Sequence, residues 1–299
     1  MLKTMTRDFL NFAQTNPLYL VCSVIYYVLG AFMLAGVHWI GFLFSAVFYA
    51  GSLAIVFSPA GEKLLRLLEH VRKLETKQEK EFLQPLFNEV YEQAKRRNPE
   101  LGHIEMCVVD KIAVNAYALG KHTIAVTKGA MQTFNEEHIK ALLAHEIAHI
   151  LYHDTIASLY IWIAHGAFLG WVLTIKAILT VIDIVQEKYK KQSLGRAVTV
   201  LVKLIFEAII FLFMLLMQIV VAVNSRKNEY RADRYAYDLG YGEELVEAFY
   251  LLEKIQLGDN STIIQRMIRS HPRITARIEQ LEILIDSQEA IQTAPVPLN

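Results

Sequence analysis

The sequence predicts a mainly α-helical protein that crosses a membrane several times and carries a small β-sheet outside the lipid. Three observations predict this fold class. Hydrophobic residues make up 54% of the 299 residues, several apolar runs approach the length of a membrane span, and short β-rich stretches interrupt the polar part of the chain. Part of the chain is therefore expected to lie in lipid.

Four apolar segments are candidates for membrane spans, because a hydrocarbon core of about 30 Å needs about 20 apolar helical residues. The first two, Leu18 to Val37 and Ile40 to Phe57, contain no Asp, Glu, Lys or Arg and predict a tight hairpin. The first run exceeds the roughly 7–15-residue apolar core of a signal peptide, so it is expected to be a retained anchor. The other two run from about Ile156 to Ile182 and from about Val198 to Val223.

Charged residues interrupt the third and fourth segments, at Lys176 in the third and at Lys203 and Glu207 in the fourth. One interpretation pairs Lys203 with Glu207 at i,i+4 spacing and places Lys176 at the membrane interface. The other makes these residues functional groups inside the membrane. Both interpretations stay open at this point.

Basic residues predict the orientation, since cytoplasmic flanks are enriched in Lys and Arg. The tip of the first hairpin has none, so both of its flanks are expected to be cytoplasmic. The basic loop after the third segment contradicts this rule, unless the hairpin dominates the topology or the later segments do not cross completely. The flanking residues are Lys3, Arg7, Lys63, Arg66, Arg72 and Lys73, and the loop contains Lys188, Lys190, Lys191 and Arg196.

The polar parts of the chain, 58–155 and 224–299, are each small for a separate core, and we expect them to fold together. Residues 1–57 then form a transmembrane hairpin, and residues 156–223 form two further transmembrane segments inserted between the polar parts. The 30 basic and 30 acidic residues balance and give no nucleic-acid signature. Cys22 and Cys107 are expected to be packing residues.

The first polar part predicts two amphipathic helices, then a small sheet, then another helix. The stretches "HIEMCVVD", "IAVNAYAL" and "HTIAVT" favour strands, and Gly120 supplies a turn between the last two. Asn135, followed by Glu136 and Glu137, is typical of a helix start. The helix that begins there continues through the motif "AHEIAHI" at residues 144–150.

In this motif His145 and His149 are four residues apart, so both imidazoles project from one helical face and can bind one ion. Glu146 lies beside them. Zinc peptidases use this spacing, with two neutral histidines as ligands and the carboxylate as the base for a water molecule. The motif therefore predicts one Zn²⁺ per chain.

A catalytic zinc ion needs a third protein ligand, and the second polar part offers "NEYRADRYA". Glu229 and Asp233 are four apart on a predicted helix, so one can bind the metal while the other hydrogen-bonds a ligand histidine. The alternative is a solvated charged helix in which neighbouring basic residues pair with both acids. Those basic residues are Arg226, Lys227, Arg231 and Arg234.

The order "AHEIAHI", two apolar segments and "NEYRAD" resembles the HtpX-type membrane zinc metalloproteases, relatives of the CAAX prenyl endopeptidases. The resemblance extends to the N-terminal hairpin, "VNAYALG", "VTKGAM", Asp154 and "SHPRITARI". It implies a zincin-like (gluzincin) α+β protease domain built from residues 58–155, which carry the zinc helix, and 224–299. It also implies Glu229 as third zinc ligand and Asp233 as partner of a zinc histidine.

The same resemblance makes His271 a candidate for oxyanion stabilisation, with Arg277 close to it. A capping or surface role for His271 is the alternative. The strand at Asn115, Ala116, Tyr117 and Ala118 resembles a substrate-binding edge, which implies broad specificity through backbone pairing; the alternative is a core strand. Tyr117 departs from the family, which often has Phe at this position.

We therefore expect a zinc metalloendopeptidase of protein quality control and the stress response, which cuts misfolded or membrane proteins. It should be a multi-pass protein of the cell inner (plasma) membrane with a cytoplasmic protease domain in contact with the lipid bilayer. A protease that cleaves within the membrane is disfavoured, since "NEEHIK" would place charges in hydrocarbon. A membrane scaffold or transporter with a structural zinc site is the alternative, and it would not need Glu146.

Overall fold

The computed structural model describes residues 9–10, 12–35, 39–188, 193–256 and 273–293. The chain divides into two compact units. The apolar unit comprises Met1–Ser58 and Ala157–Val221, and the polar unit comprises Pro59–Ile156 and Ala222–Asn299.

The chain is mainly helical with one small sheet, which confirms that part of the predicted fold class. The helices are α1 Pro17–Ala35, α2 Trp39–Val56, α3 Pro59–Leu68, α4 Lys77–Arg97, α5 Lys128–Thr133, α6 Glu136–Leu151, α7 Asp154–Lys188, α8 Ser193–Asp238, α9 Gly242–Gln256 and α10 Ile274–Thr293. The strands are β1 Arg72–Lys73, β2 Glu105–Val109, β3 Ala116–Leu119 and β4 Thr123–Thr127.

Within the described residues, one helix is long and apolar enough to cross a membrane by length and composition, the part of α8 from Ile210 to Asp238. The consecutive helices Gly41–Val56 and Pro59–Leu68 meet the same criteria only when taken together. The apolar segment Pro17–Val28 is shorter. The four-span topology therefore stays a prediction.

Glu207 on α8 pairs with Lys176 on α7 in the apolar unit. The Lys176 Nζ and Glu207 Oε1 atoms are 2.9 Å apart, and both side chains are about half exposed. The partner of Glu207 in this contact comes from the neighbouring helix, not from the same helix as the i,i+4 interpretation expected. The side chain of Lys203 lies outside those that the structure describes.

The sheet of the polar unit has the order β1-β2-β4-β3, so β3 lies at an edge. β2 and β4 are parallel, and the other two pairs are antiparallel. Gly120 makes the turn between β3 and β4 with a φ of 59°. The three strands expected from sequence are all present, and the two-residue β1 is an addition that was too short to predict.

Helix α6 forms the centre of the polar core. The Asn135 side chain caps it by accepting a hydrogen bond from the His138 backbone N–H at 2.8 Å. Its apolar residues pack among those of α4, α9 and the sheet, and this burial is the main stabilising contribution to the unit. Fully buried members of this core include Leu83, Val90, Ile124, Ile139, Leu143 and Ile147.

Candidate metal centre

The polar unit brings together three side chains that were predicted as zinc ligands. His145 and His149 lie in the last turns of α6, Glu229 lies near the end of α8, and one ligand atom of each falls within 4.8 Å of the others. The two Nε2 atoms of the histidines are 3.1 Å apart. Glu229 approaches each histidine with a different carboxylate oxygen. Its Oε2 atom lies 3.6 Å from His145 Nε2, and its Oε1 atom lies 3.6 Å from His149 Nε2.

These spacings fit a tetrahedral zinc site. Ligand atoms about 2.0–2.1 Å from one zinc ion, at tetrahedral angles, lie about 3.3 Å from each other. Two imidazoles and one carboxylate are also a ligand set of catalytic zinc sites, which keep the fourth position open. The residues present therefore fit one zinc ion.

Glu229 lies on α8, which is one continuous helix from Ser193 to Asp238. The same helix contains the fourth apolar segment and the motif that carries Glu229 and Asp233. Glu229 is 4% exposed and Asp233 is 3% exposed. The alternative of a solvated charged helix face is therefore wrong for these two acids.

Asp233 lies within hydrogen-bonding distance of His145. Its Oδ1 atom lies 3.0 Å from the Nδ1 atom of His145, which leaves Nε2 directed at the other ligands. Arg277 on α10 donates from Nε to Asp233 at 2.8 Å and pairs through Nη1 with Glu229 at 2.9 Å. The guanidinium also stacks over the ring of Phe249, with Cζ 4.2 Å from the centroid.

The carboxylates around His145 favour positive charge on its ring. Burial lowers the pKa of His145, but hydrogen bonds with Asp233 and Glu229 outweigh burial and raise this pKa to about 9. Burial disfavours the charge of Asp233, while Arg277 and His145 hold the pKa of Asp233 below its usual value. The carboxylates that stabilise this proton would also stabilise a divalent cation, which must displace the proton to bind.

Asp154 makes the corresponding contact with His149. Its Oδ2 atom lies 3.0 Å from His149 Nδ1, and its Oδ1 atom accepts a hydrogen bond from Arg231 Nη2 at 2.6 Å. The sequence showed Asp154 only as part of a family resemblance and Arg231 only as a basic neighbour of the acids. The one signal for Asp154 in the sequence was the position of its carboxylate shortly after the "AHEIAHI" motif.

Glu146 is buried beside the ligands and is held by the edge strand. The backbone N–H of Ala118 on β3 donates to Glu146 Oε2 at 2.8 Å. Burial raises the pKa of Glu146, while the neighbouring histidines oppose that effect. A carboxylate with a raised pKa in a buried site is suited to accept and return a proton.

The predicted substrate strand lies at the sheet edge, next to this carboxylate. Ala116, Tyr117 and Ala118 belong to β3, and Asn115 precedes it with its backbone paired to Thr127. Tyr117 packs beside Cys107, Val109 and Ala125. The prediction for His271 lies outside the described residues, whereas Arg277 is buried against Glu229 and Asp233.

A family model described as "Peptidase family M48" matches residues 77–285. A "Protease HtpX" of Stutzerimonas stutzeri is 27% identical and covers 93% of this chain and 99% of the relative. "Protease HtpX homolog" proteins of Prosthecochloris aestuarii and Bacillus subtilis are 33% and 26% identical, and the match spans 65% and 59% of their lengths, less than two thirds.

A solved structure also resembles this chain. The crystal structure of S. mikatae Ste24p superposes with a TM-score of 0.50 at 20% sequence identity, and the match covers 94% of this chain and 66% of that chain. At this identity the likeness concerns the fold alone. It agrees with a mainly helical chain that contains a small sheet.

Proposed function

Because the chain belongs to peptidase family M48, we propose that it is a membrane-bound zinc endopeptidase that hydrolyses misfolded or membrane proteins at the cytoplasmic face of the bilayer. The observation that carries the proposal is the convergence of His145, His149 and Glu229, with the buried carboxylate of Glu146 beside them. A structural zinc site needs no such base. The relatives named as HtpX proteases support the choice of reaction.

His145, His149 and Glu229 would hold the zinc ion, which would supply the polarisation of a carbonyl group and a lower pKa for a water molecule. Side chains of the protein would transfer the proton of this water molecule. Glu146 accepts a proton from the water as the water oxygen bonds to the carbonyl carbon, and delivers that proton to the amine nitrogen as the C–N bond breaks, which regenerates the carboxylate. The N–H of Ala118 fixes the carboxylate for both transfers.

The edge position of β3 supports the proposed mode of substrate binding. An extended peptide can pair with the outward backbone groups of an edge strand, and such pairing requires little of the substrate sequence. We assign this role to the stretch from Asn115 to Ala118, in which the Ala118 N–H bonds Glu146 and the Asn115 backbone bonds Thr127, so the other outward backbone groups would pair with the peptide. His271 is proposed to stabilise the oxyanion, and Arg277 acts through Asp233 and Glu229.

The membrane location is supported by the apolar helices of the apolar unit and by the apolar part of α8. The basic residues that flank the first hairpin favour a cytoplasmic polar unit in an inner-membrane, multi-pass protein. Membrane-proximal or misfolded chains are then the substrates within reach. The role in quality control comes from the family resemblance.

The test compares wild type with Glu146→Gln, each purified in detergent, for zinc content and cleavage of casein. The variant should keep about one zinc ion per chain and lose activity by about 10²–10⁴-fold, because the amide cannot accept the proton. Glu243→Gln, an exposed acid in the first turn of α9, is the matched control and should cleave normally.

Two outcomes oppose the proposal. Full activity in Glu146→Gln would remove the base from the mechanism. Wild-type protein that holds zinc and yet cleaves no substrate in several lipids would favour a membrane scaffold or transporter with structural zinc.

A further inference from the structure

Each of the two zinc histidines has its own carboxylate, guanidinium and aromatic ring. On the first side these are Asp233, Arg277 and Phe249, which surround His145 as described above. On the second side Asp154 accepts from His149 and from Arg231, and Arg231 lies over the Tyr152 ring with Cζ 4.3 Å from the centroid. The contact of Asp233 with a zinc histidine follows from the family resemblance, whereas the contacts of Asp154 and Arg231 are not part of the proposed function.

The backbone between α6 and α7 creates the second arrangement. In one continuous helix, residues five apart point about 140° away from each other, so Asp154 would face away from His149. The structure interrupts the helix at His153, whose φ is 60°. Asp154 then begins α7 and returns its carboxylate to the histidine of the previous helix.

The Asp154–Arg231 pair differs from an ordinary surface ion pair because it is largely buried. The side chain of Asp154 is 7% exposed, and Arg231 is partly covered at 31%. Arg231 is fixed further by a hydrogen bond to Asn228 Oδ1 at 3.1 Å. A buried carboxylate needs a charged or hydrogen-bonded partner, and here it has both an imidazole and a guanidinium.

We propose that Asp154 and Arg231 are positioning residues for the metal. Asp154 accepts the Nδ1–H of His149, which fixes the tautomer and the ring plane so that Nε2 faces the ligand site. Arg231 holds the carboxylate in that orientation. This inference rests on the proposed zinc function and deepens it, because it assigns to His149 the support that Asp233 gives to His145.

The test measures zinc affinity by competition with a chelator in the full-length protein in detergent. Asp154→Ala should bind zinc about 10–100-fold more weakly, the usual effect of removing such a partner. Asp154→Asn keeps an acceptor for the Nδ1–H of His149, so its zinc affinity should fall less. The zinc affinity of Arg231→Gln should also fall less than that of Asp154→Ala. Asp238→Asn is the matched control, since it removes an arginine-paired acid of α8 away from the ligands and should bind zinc normally.

Cobalt supplies a second readout that a merely structural role would not change. The visible absorption of the Co²⁺-loaded protein reports ligand geometry, so it should shift in Asp154→Ala and match wild type in Asp238→Asn. Each chelated variant should still show a cooperative thermal transition, which establishes that the protein whose zinc affinity is compared is folded. If Asp154→Ala does not fold, the zinc affinities of Asp154→Asn and Arg231→Gln test the proposal instead.

The inference is overturned if Asp154→Ala binds zinc as wild type does, or if the two conservative variants do so when Asp154→Ala is unfolded. A wild-type protein with normal zinc affinity and no proteolysis would instead refute the proposed function. The two failures are therefore distinguishable, because metal affinity is measured without substrate.

Discussion

The ligand atoms of His145, His149 and Glu229 are surrounded by charges that do not cancel one another. Among the described residues next to the ligands, carboxylates outnumber guanidinium groups, so a divalent cation restores the balance when both imidazoles are neutral. The same imbalance raises the pKa of His145, so metal uptake displaces a proton. The acids are Glu146, Asp154, Glu229 and Asp233, and the bases are Arg231 and Arg277.

Replacement of Glu229 by Gln should remove most of the zinc. A neutral amide is a poor zinc ligand. Zinc affinity should therefore fall by more than the roughly 100-fold that is the upper effect of removing a hydrogen-bond partner of a ligand. Zinc per chain after gel filtration measures the result. Glu247→Gln, which changes an exposed acid paired with His138, is the control and should retain zinc; an equal zinc content in both variants would contradict the assigned ligand.

The sequence could predict some of these residues and not others. His145, Glu146 and His149 follow from spacing within one helix. Whether Glu229 and Asp233 were buried depended on tertiary packing, since the same charged stretch suits a solvated face. Asp154 could not be placed beside His149, because that contact depends on the left-handed backbone of a single residue, His153.

At the scale of elements, the position of the edge strand depends on its contact with α5. The loop that precedes β3 passes against Gly129, whose N–H donates to the Lys111 carbonyl oxygen at 3.0 Å. A Cβ atom at Gly129 would lie 1.9 Å from the backbone oxygen of Ile112. No backbone atom can be accommodated at that distance, so the loop requires glycine here.

Gly129→Ala should therefore displace this loop and the start of β3. We expect the free energy of unfolding to fall by about 1–3 kcal/mol, as for other overpacked sites, with lower cleavage at unchanged zinc content. Thermal melting and casein cleavage test this. Gly102→Ala, at an open site with nothing within 4 Å of the new Cβ, should behave as wild type; equal melting temperatures of the two variants would contradict the expected clash.

The elements themselves were predicted more fully than their bounds. Alternating and β-branched residues indicated β2, β3 and β4, and Asn135 marked the start of α6. The sequence did not predict that the fourth apolar segment and the Glu229 motif form a single helix, because charges at the end of an apolar run normally indicate a boundary.

At the scale of the whole molecule, the orientation in the membrane can be measured with introduced cysteines. Cys107 is buried, and desolvation raises its pKa to about 11, so its thiol should react slowly with maleimides. Cys22 is also buried. The native chain therefore gives a low background for labelling.

We expect opposite labelling for Trp39→Cys, at the hairpin tip, and Gln78→Cys, in the first turn of α4. In right-side-out vesicles a membrane-impermeant maleimide should label the first variant, and in inside-out vesicles the second. Labelling of both from the same side would refute the proposed hairpin. Detergent-solubilised protein, in which both sites are accessible, is the control.

Hydropathy predicts which segments are apolar but not which of them cross the bilayer. The third segment contains Lys176 and the fourth contains Glu207, and the structure pairs these two charges. An ion pair between two helices depends on how the helices pack. The hydropathy of one segment contains no information about that packing. The number of spans is therefore less predictable from sequence than the zinc motif.

The order of the site residues along the chain has a consequence for synthesis. The histidines of α6 are made first, then Glu229 of α8, and then Arg277 of α10. At about 5–20 residues per second, roughly 6–26 s separate His149 from Arg277 on the ribosome. A growing chain thus carries the two histidines and Glu146 before it has Glu229, so the proposed metal site stays incomplete until α8 has been synthesised.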